Sequence, residues 1–404
     1  MEILAVSPFY TYPADNGGKT RIFKLYEYLS KKHKVFQYSC NFFRYVGRLQ
    51  LYSFTSYINK NFTEYVHSPP HYSMFSLIAH GLNIPPLVYA NELMATSTSS
   101  ILYRKMQACD FIQVEEPFQF DYIYKKNKGR KKIVADSQNV EYVLAKSPNY
   151  FLTKSRRREK VLKKLFGMEK RYVTMSDIIF CASEKDRQEF MEFYGADKDK
   201  LKVLPNGVDL REFPLVTDKL REQSKAAMGL KGKKVVFFVG GTHHPNQEAL
   251  SMIKQLAAKV KDPDVLFLIA GAIGDGEHAT HNMRFTGGGT HDEMLKYFKV
   301  ADVALNNITS GSGTNVKLLQ YLAAGLPTIS TRFGTRGLEI TDRRGIMLAE
   351  TAEEYIESIQ KILSSQKIKK ILSSHARNLV KGKYDFETIS KKAERYYKEM
   401  LDGS

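Results

Sequence analysis

The segment best equipped for chemistry is Ser310-Gly311-Ser312-Gly313-Thr314-Asn315-Val316-Lys317, continuing past Gln320 to Gly325-Leu326-Pro327. A loop of small residues opens a predicted helix of about 10 residues, which Gly325 ends and Pro327 keeps from resuming. Backbone N–H groups at such a start converge on one spot, and the helix dipole makes that spot attractive to a phosphate. Lys317, in the first turn, adds a full positive charge. An ordinary tight turn before a helix would use the same residue types, so the pattern alone leaves both readings open.

Other residues invite a metal or membrane reading. Asp262-Pro263-Asp264 has a D-x-D form, but Pro and Asp are what a turn before a strand needs, so it reads as structural. His278, His281 and His291 lie among glycines without acidic or cysteine companions at fixed spacing, which predicts a loop. Residues 154–171 carry nine cations, Lys154, Arg156, Arg157, Arg158, Lys160, Lys163, Lys164, Lys170 and Arg171, around Val161, Leu162, Leu165, Phe166 and Met168. At helical spacing this stripe suits an anionic membrane. Packing on a sheet with the charges in water is the preferred reading.

Those residues need a scaffold. Ile3-Leu4-Ala5-Val6-Ser7, then Gly17-Gly18, then an apolar-periodic stretch from Thr20 to Leu29 read as strand, turn and helix. Apolar runs at 111–114, 132–135 and 178–181 alternate with helical stretches, which predicts a parallel α/β sheet. Residues 45–105, rich in Tyr, Ser, Pro and Asn, are expected to hold short helices and loops. A second series starts at Val235 to Val239 with Gly240-Gly241, continues through a helix from Asn246 and strand 265–270, and adds short strands near 283–285, 303–305 and 327–330. Two such series imply two Rossmann-like domains with a boundary near 215. A final helix, Phe386 to Leu401, has Ile389, Ala393 and Tyr396-Tyr397 on one side and must pack on something.

Ser310 to Pro327 resembles the donor-site motif of family 4 glycosyltransferases, and other stretches agree in order. Leu204-Pro205-Asn206-Gly207-Val208-Asp209 with Phe213 is similar to the family's P-N-G-V-D segment, and Phe238-Val239-Gly240 with Pro245-Asn246 to the strand opening its second domain. Asp177-Ile178-Ile179 with Ser183-Glu184, Asp136 to Glu141, and the Gly17-Gly18 pair also match. The resemblance implies the GT-B fold, in which two Rossmann-like domains face a cleft. It suggests residues 1–215 as acceptor domain, 216–382 as nucleotide-sugar domain, and 383–404 as a helix crossing back.

The same resemblance implies transfer from a nucleotide-diphosphate sugar with retention of configuration, no metal and no cofactor beyond that co-substrate. It assigns Gly17, Gly18, Gly241, His243, Ser312, Gly313, Thr314, Asn315, Lys317 and Gln320 to the donor, and Gln138, Asn139 and Glu141 to the acceptor. Several positions depart from the pattern. The family's two glutamates fall on Ser312 and Gln320, so the ribose grip loses the extra strength of a carboxylate. Gly241-Thr242-His243-His244 replaces a basic pair, and either histidine could face phosphate or belong to a polar loop. Gln138 stands where a histidine is usual; no general base is evident, and catalytic residues stay unassigned.

Composition bounds the rest. The chain has 404 residues with 43% hydrophobic and 26% charged, which excludes a disordered or collagen-like chain. Cys40, Cys109 and Cys181 are odd in number and far apart, suggesting neither a disulfide framework nor zinc. With the early acid Glu2 and no basic leader, the expectation is a cytoplasmic protein, with peripheral attachment to the inner face of the membrane as a further option. The net charge of +18 fits an anionic partner or simply a solvated lysine-rich surface. The leading expectation is sugar transfer to a glycan or lipid-linked acceptor. A sugar-nucleotide or glycan binder without turnover comes second, and a transferase acting on a nucleic-acid base through the Tyr- and Lys-rich segment 38–72 comes last.

Overall fold

The computed structural model describes residues 1–404 except 15, 42–51, 83–84, 98, 147–155, 312, 341, 343–344 and 404. It divides into two compact units, Met1–Asn206 with Ile389–Ser404, and Gly207–Thr388. Ser312 and residues 154 and 155 of the basic stretch therefore lie outside the described residues.

In the first unit the strands are β1 (Glu2–Ser7), β2 (Lys34–Cys40), β3 (Phe54–Asn59), β4 (Phe62–His67), β5 (Phe111–Glu115), β6 (Lys132–Ser137), β7 (Ile178–Cys181) and β8 (Leu201–Val203). They form one sheet in the order β3-β4-β2-β1-β5-β6-β7-β8, parallel except for β3 against β4. The central strands are buried almost throughout because crossover helices cover both faces, even where β5 and β6 carry Gln113, Glu115 and Asp136. Leu4, Val6, Ile112, Val114, Ile133, Ala135 and Ile179 share one core with Val161, Leu165 and Tyr172.

The hairpin β3–β4 corrects the expectation of only helices and loops in 45–105. Thr55, Tyr57 and Ile58 favour extended backbone, and β4 has a ladder waiting on β2, with Val35 opposite Phe62 and Cys40 opposite His67. Tertiary pairing outweighs the loop-like composition of the surrounding segment.

The second unit contains β9 (Lys234–Val239), β10 (Val265–Ala270), β11 (Met283–Phe285), β12 (Val303–Asn306), β13 (Thr328–Ser330) and β14 (Ile346–Leu348), all parallel in the order β11-β10-β9-β12-β13-β14. Successive residues of β9 feed opposite cores. Val235 and Phe237 pack with Phe298 and Tyr321, while Val236 and Phe238 pack with Ile253 and Leu256. Residues 207–215 join this unit: Val208 N donates to Tyr384 O at 2.9 Å and Phe213 lies in its core.

The last helix, Phe386–Asp402, carries its buried stripe into the first unit. The Tyr397 ring lies 4.6 Å from that of Phe111, and its hydroxyl donates to Gln113 Oε1 at 2.6 Å. The basic helix Arg156–Met175 likewise turns Val161, Leu165, Met168 and Tyr172 into the first core. Its apolar stripe is therefore inside the protein, and Lys160, Lys163 and Lys170 stay exposed. Among the described residues no helix is long and apolar enough to cross a membrane. The three cysteines are free and buried.

Candidate functional site

The loop after β12 is shaped by two glycines with left-handed backbone, Gly311 at φ 113° and Gly313 at φ 66°. A side chain at either position would be strained. Asn306, at the end of β12, receives Asn315 Nδ2 on its Oδ1 at 2.7 Å, which ties the loop to the strand. Arg336 Nε donates to Gly313 O at 2.7 Å from the other side. A Cβ on Gly337 would come within 2.7 Å of Thr314 Oγ1, so that segment also depends on a bare backbone. Ser310 Oγ donates to Glu248 Oε2 at 2.5 Å.

The helix that follows, Val316–Ala323, is shorter than the expected ten residues because Gly325 turns the chain at φ 68°. The N-cap Asn315 accepts no side-chain cap bond from it, its Nδ2 donating instead to Asn306. Lys317 is half-buried in the first turn, with Nζ 2.7 Å from Asn246 Oδ1 and 4.3 Å from the centre of the Phe238 ring. Burial pushes its amine down to about 7, because an amide dipole and a ring quadrupole replace water without supplying a full negative charge. Gln320, three residues on and half-buried, shares the helix face of Lys317.

The turn after β9 brings Asn246 to this place. Its Nδ2 donates to Gly241 O at 2.9 Å, and a Cβ on Gly240 would lie 3.1 Å from Asn246 Cγ. Gly241 itself has room for a side chain. His243 and His244 are exposed at the start of helix His244–Lys259, and His244 Nδ1 lies 3.6 Å from Glu248. Thus Gly241, Gly313, Thr314, Asn315, Lys317 and Gln320 gather at the carboxyl ends of β9 and β12, with His243 on the rim. In open α/β sheets that edge is where ligands bind.

Gly17, Gly18, Gln138, Asn139 and Glu141 belong to the first unit. Helix Gly17–Leu29 starts earlier than expected, with Asn16 Oδ1 accepting from Lys19 N at 3.1 Å. A Cβ on Gly18 would stand 2.9 Å from Gln138 Oε1, and Gln138 Nε2 donates to Gly18 O at 3.4 Å. Gly18 and Gln138, expected on donor and acceptor sides, are therefore in contact. Glu141 is buried, accepts from Asn139 Nδ2 at 3.4 Å, and is pushed up to about 8 by burial and by Glu169. Glu169 accepts from Glu141 N at 2.7 Å and Tyr142 N at 2.9 Å, and is pushed up to about 7 by burial.

Two family models match the chain: Glycosyltransferase Family 4 over residues 16–212, and Glycosyl transferases group 1 over residues 233–365. Together they take in most of both units. The chain belongs to glycosyltransferase family 4. An uncharacterized glycosyltransferase of Methanocaldococcus jannaschii is 19% identical over 56% of this chain and 59% of its own length. D-inositol 3-phosphate glycosyltransferase of Corynebacterium glutamicum is 27% identical over 44% of this chain and 46% of its own length. The matched stretches thus span about half the length of these relatives. Among solved structures, Anabaena HepE in complex with UDP is similar in fold, with a TM-score of 0.68 at 12% identity over 99% of this chain and 100% of that one; HepE is also solved with UDP-glucose. The architecture is GT-B.

Within this family 4 member, several residues of the site escaped sequence reasoning. Asn246 was visible only as part of a Pro-Asn pair, and nothing local says that it meets a lysine 71 positions later. Arg336 and Gly337 come from a segment without motif. In the first unit Arg21, fully buried, donates to Asp136 Oδ1 at 2.7 Å, Leu204 O at 2.9 Å and Asn206 Oδ1 at 3.2 Å. It braces the strand ends carrying Gln138. Glu116 follows β5 at φ 65°, rare for a residue with a side chain, and accepts from Gln138 N at 3.3 Å. His291 is not in a loop: it opens helix His291–Val300, which Thr290 and Glu293 cap reciprocally. Asp262 accepts from Lys234 Nζ at 2.9 Å and Asp264 N at 2.9 Å, a turn at the amino end of β10. Among the described residues no cluster of His, Cys, Asp and Glu could hold a metal ion.

Proposed function

We propose that the chain transfers a sugar from a nucleotide-diphosphate sugar to a glycan or lipid-linked acceptor, retaining anomeric configuration without a metal ion. The observation that carries this is Lys317: a half-buried amine beside a glycine-built loop and helix start, oriented by Asn246, with burial alone lowering it. The diphosphate fits this environment in charge and in its need for N–H donors. As the bond from sugar C1 to the diphosphate oxygen breaks, its electron pair goes to the leaving group. Lys317 and the amides of Gly313, Thr314 and Asn315 hold that growing charge, which is worth most in the transition state. The acceptor hydroxyl forms the new bond on the same face and passes its proton to the departing phosphate oxygen, so no side-chain base is needed.

Gln320 grips the ribose, and Gln138, Asn139 and Glu141 line the acceptor side, Glu141 by fixing Asn139. HepE was solved with UDP-glucose, which makes that compound the first donor to try. A panel of nucleotide sugars by thermal shift should give one that raises the melting temperature, since a ligand binding only the folded state stabilises it. NMR of the product anomer then reads the stereochemistry. An inverted product, or a panel without any shift, refutes the reading. Gln320 in place of a carboxylate also favours a binder without turnover as second reading; saturable donor binding with no nucleotide release would select it.

Peripheral attachment to an anionic membrane remains part of the proposal, on a different element from the basic helix. Helix Pro70–Gly81 and the residue after it expose Met74, Leu77, Ile78 and Leu82, an apolar face at helical spacing. Sedimentation with anionic vesicles should fall in Met74→Glu with Ile78→Glu. Equal sedimentation of both proteins removes the membrane partner. A salt-dependent gel shift with DNA or RNA would instead revive the nucleic-acid acceptor.

A further inference from the structure

A cationic cavity lies in the second unit, at the end of its sheet opposite the donor loop. Its volume is about 330 Å³, and Thr217, Arg221, Lys369, Lys370, Ser373 and Arg377 line it. Pro327, also in its wall, precedes β13, whereas the donor loop leaves the carboxyl end of β12. Because these strands are parallel, the two sites occupy opposite ends of the sheet.

The charges around the cavity do not balance. Asp218, the carboxylate in its lining, is taken by Arg221 Nη1 at 2.8 Å and Gln366 Nε2 at 2.6 Å. Asp302, buried behind it, meets two lysines with its single charge, Lys225 at 2.7 Å and Lys369 at 3.4 Å. Arg377 donates to two backbone carbonyls, Phe213 O at 2.6 Å and Ala323 O, which share its protons without cancelling its charge. Lys370 is exposed at the mouth. Hydroxyls of Thr217 and Ser373 add neutral donors. A concave site with surplus positive charge and several O–H and N–H donors matches a group with many acceptor oxygens and more than one negative charge.

We propose that this cavity is a second anion site, for a phosphomonoester. Arg377 and Lys369 hold the phosphoryl oxygens from the floor, Lys370 closes over them, and Ser373 and Thr217 complete the shell. The site touches the last carbonyl of helix Val316–Ala323, whose first turn carries Lys317, so its ligand sits at the far end of the donor helix.

Inorganic phosphate titrated by calorimetry tests this in a Lys317→Met background, which removes the donor-site contribution. Binding should persist there and weaken by about tenfold or more in Lys370→Glu with Ser373→Ala, since one charge-assisted hydrogen bond alone is worth about that. Lys261→Glu, exposed elsewhere on this unit, should leave it unchanged. Loss of phosphate binding with Lys317→Met alone, or equal weakening by Lys261→Glu, would overturn the proposal. Vesicles containing phosphatidate separate the sources. Binding that Lys370→Glu abolishes makes a lipid headgroup the ligand, and phosphate heat without vesicle binding makes it a free phosphate compound.

Discussion

At Lys317 an amide and an aromatic face replace water but bring no full charge, so the amine loses its proton near pH 7. A diphosphate would favour the ammonium form, so donor binding takes up a proton and donor affinity falls as pH rises above about 7. Isothermal titration in buffers of different ionisation heat measures that uptake. The folding linkage has the opposite slope. The unfolded chain keeps this amine near 10.5 and binds more protons than the native state between about 7 and that value, so this residue makes stability rise with pH there. Lys317→Met should therefore abolish the donor-induced thermal shift without lowering the melting temperature at pH 7. Gln320→Glu should tighten donor binding by up to about tenfold, since bonds to an ionised acceptor are stronger. Unchanged or weaker binding would place the ribose elsewhere.

Among elements, the loop after β12 and the turn after β1 illustrate two uses of glycine. Gly313 lies at φ 66°, where an L side chain costs about 1–2 kcal/mol. Gly313→Ala should lower both the melting temperature and donor affinity, because the loop that presents the amides must shift. Gly18 is different, since an added Cβ meets only the movable end of Gln138. Gly18→Ala should change the acceptor KM with little change in melting temperature, and should have no further effect on KM in a Gln138→Ala background. Equal stability losses in the single and double variants would mean that the contact is merely packing. The donor loop was legible in the sequence because its glycines, a lysine in the first turn and a closing Gly325 fall within one short segment. The hairpin β3–β4 was not, because its partner β2 lies about 25 residues earlier and local composition spoke for loops.

Over the whole molecule, buried carboxylates set the pH dependence of the first unit. Glu115 and Glu141 are pushed up to about 8 and Glu169 to about 7, each chiefly by burial. Their folded values exceed the ordinary 4.5, so the native state holds extra protons between that value and about 8, and stability falls as pH rises through this window. Each proton held only in the native state changes stability by about 1.4 kcal/mol per pH unit. Melting temperature should therefore decline from about pH 5 to 7, below the range in which Lys317 acts with the opposite sign, and Glu169→Gln should flatten the decline. An identical slope in that variant would show that Glu169 is ionised throughout. The basic helix Arg156–Met175 shows the limit of sequence reasoning at this scale: its amphipathic pattern favours a core but also admits a bilayer, and the first unit's own apolar faces select the core.

What the chain alone determined is whatever depends on near neighbours: alternating strands and helices, glycine-defined turns, and ordered motifs matching family 4 glycosyltransferases. The tertiary structure decided which of those residues meet. Lys317 with Asn246, Arg21 with Asp136, and Arg377 with the end of the donor helix are contacts across tens to more than a hundred positions. Their geometry follows from how sheets stack strands and bury side chains, and burial is what lowers the amine of Lys317 and raises Glu141. Neither shift is written in the identity of the residue.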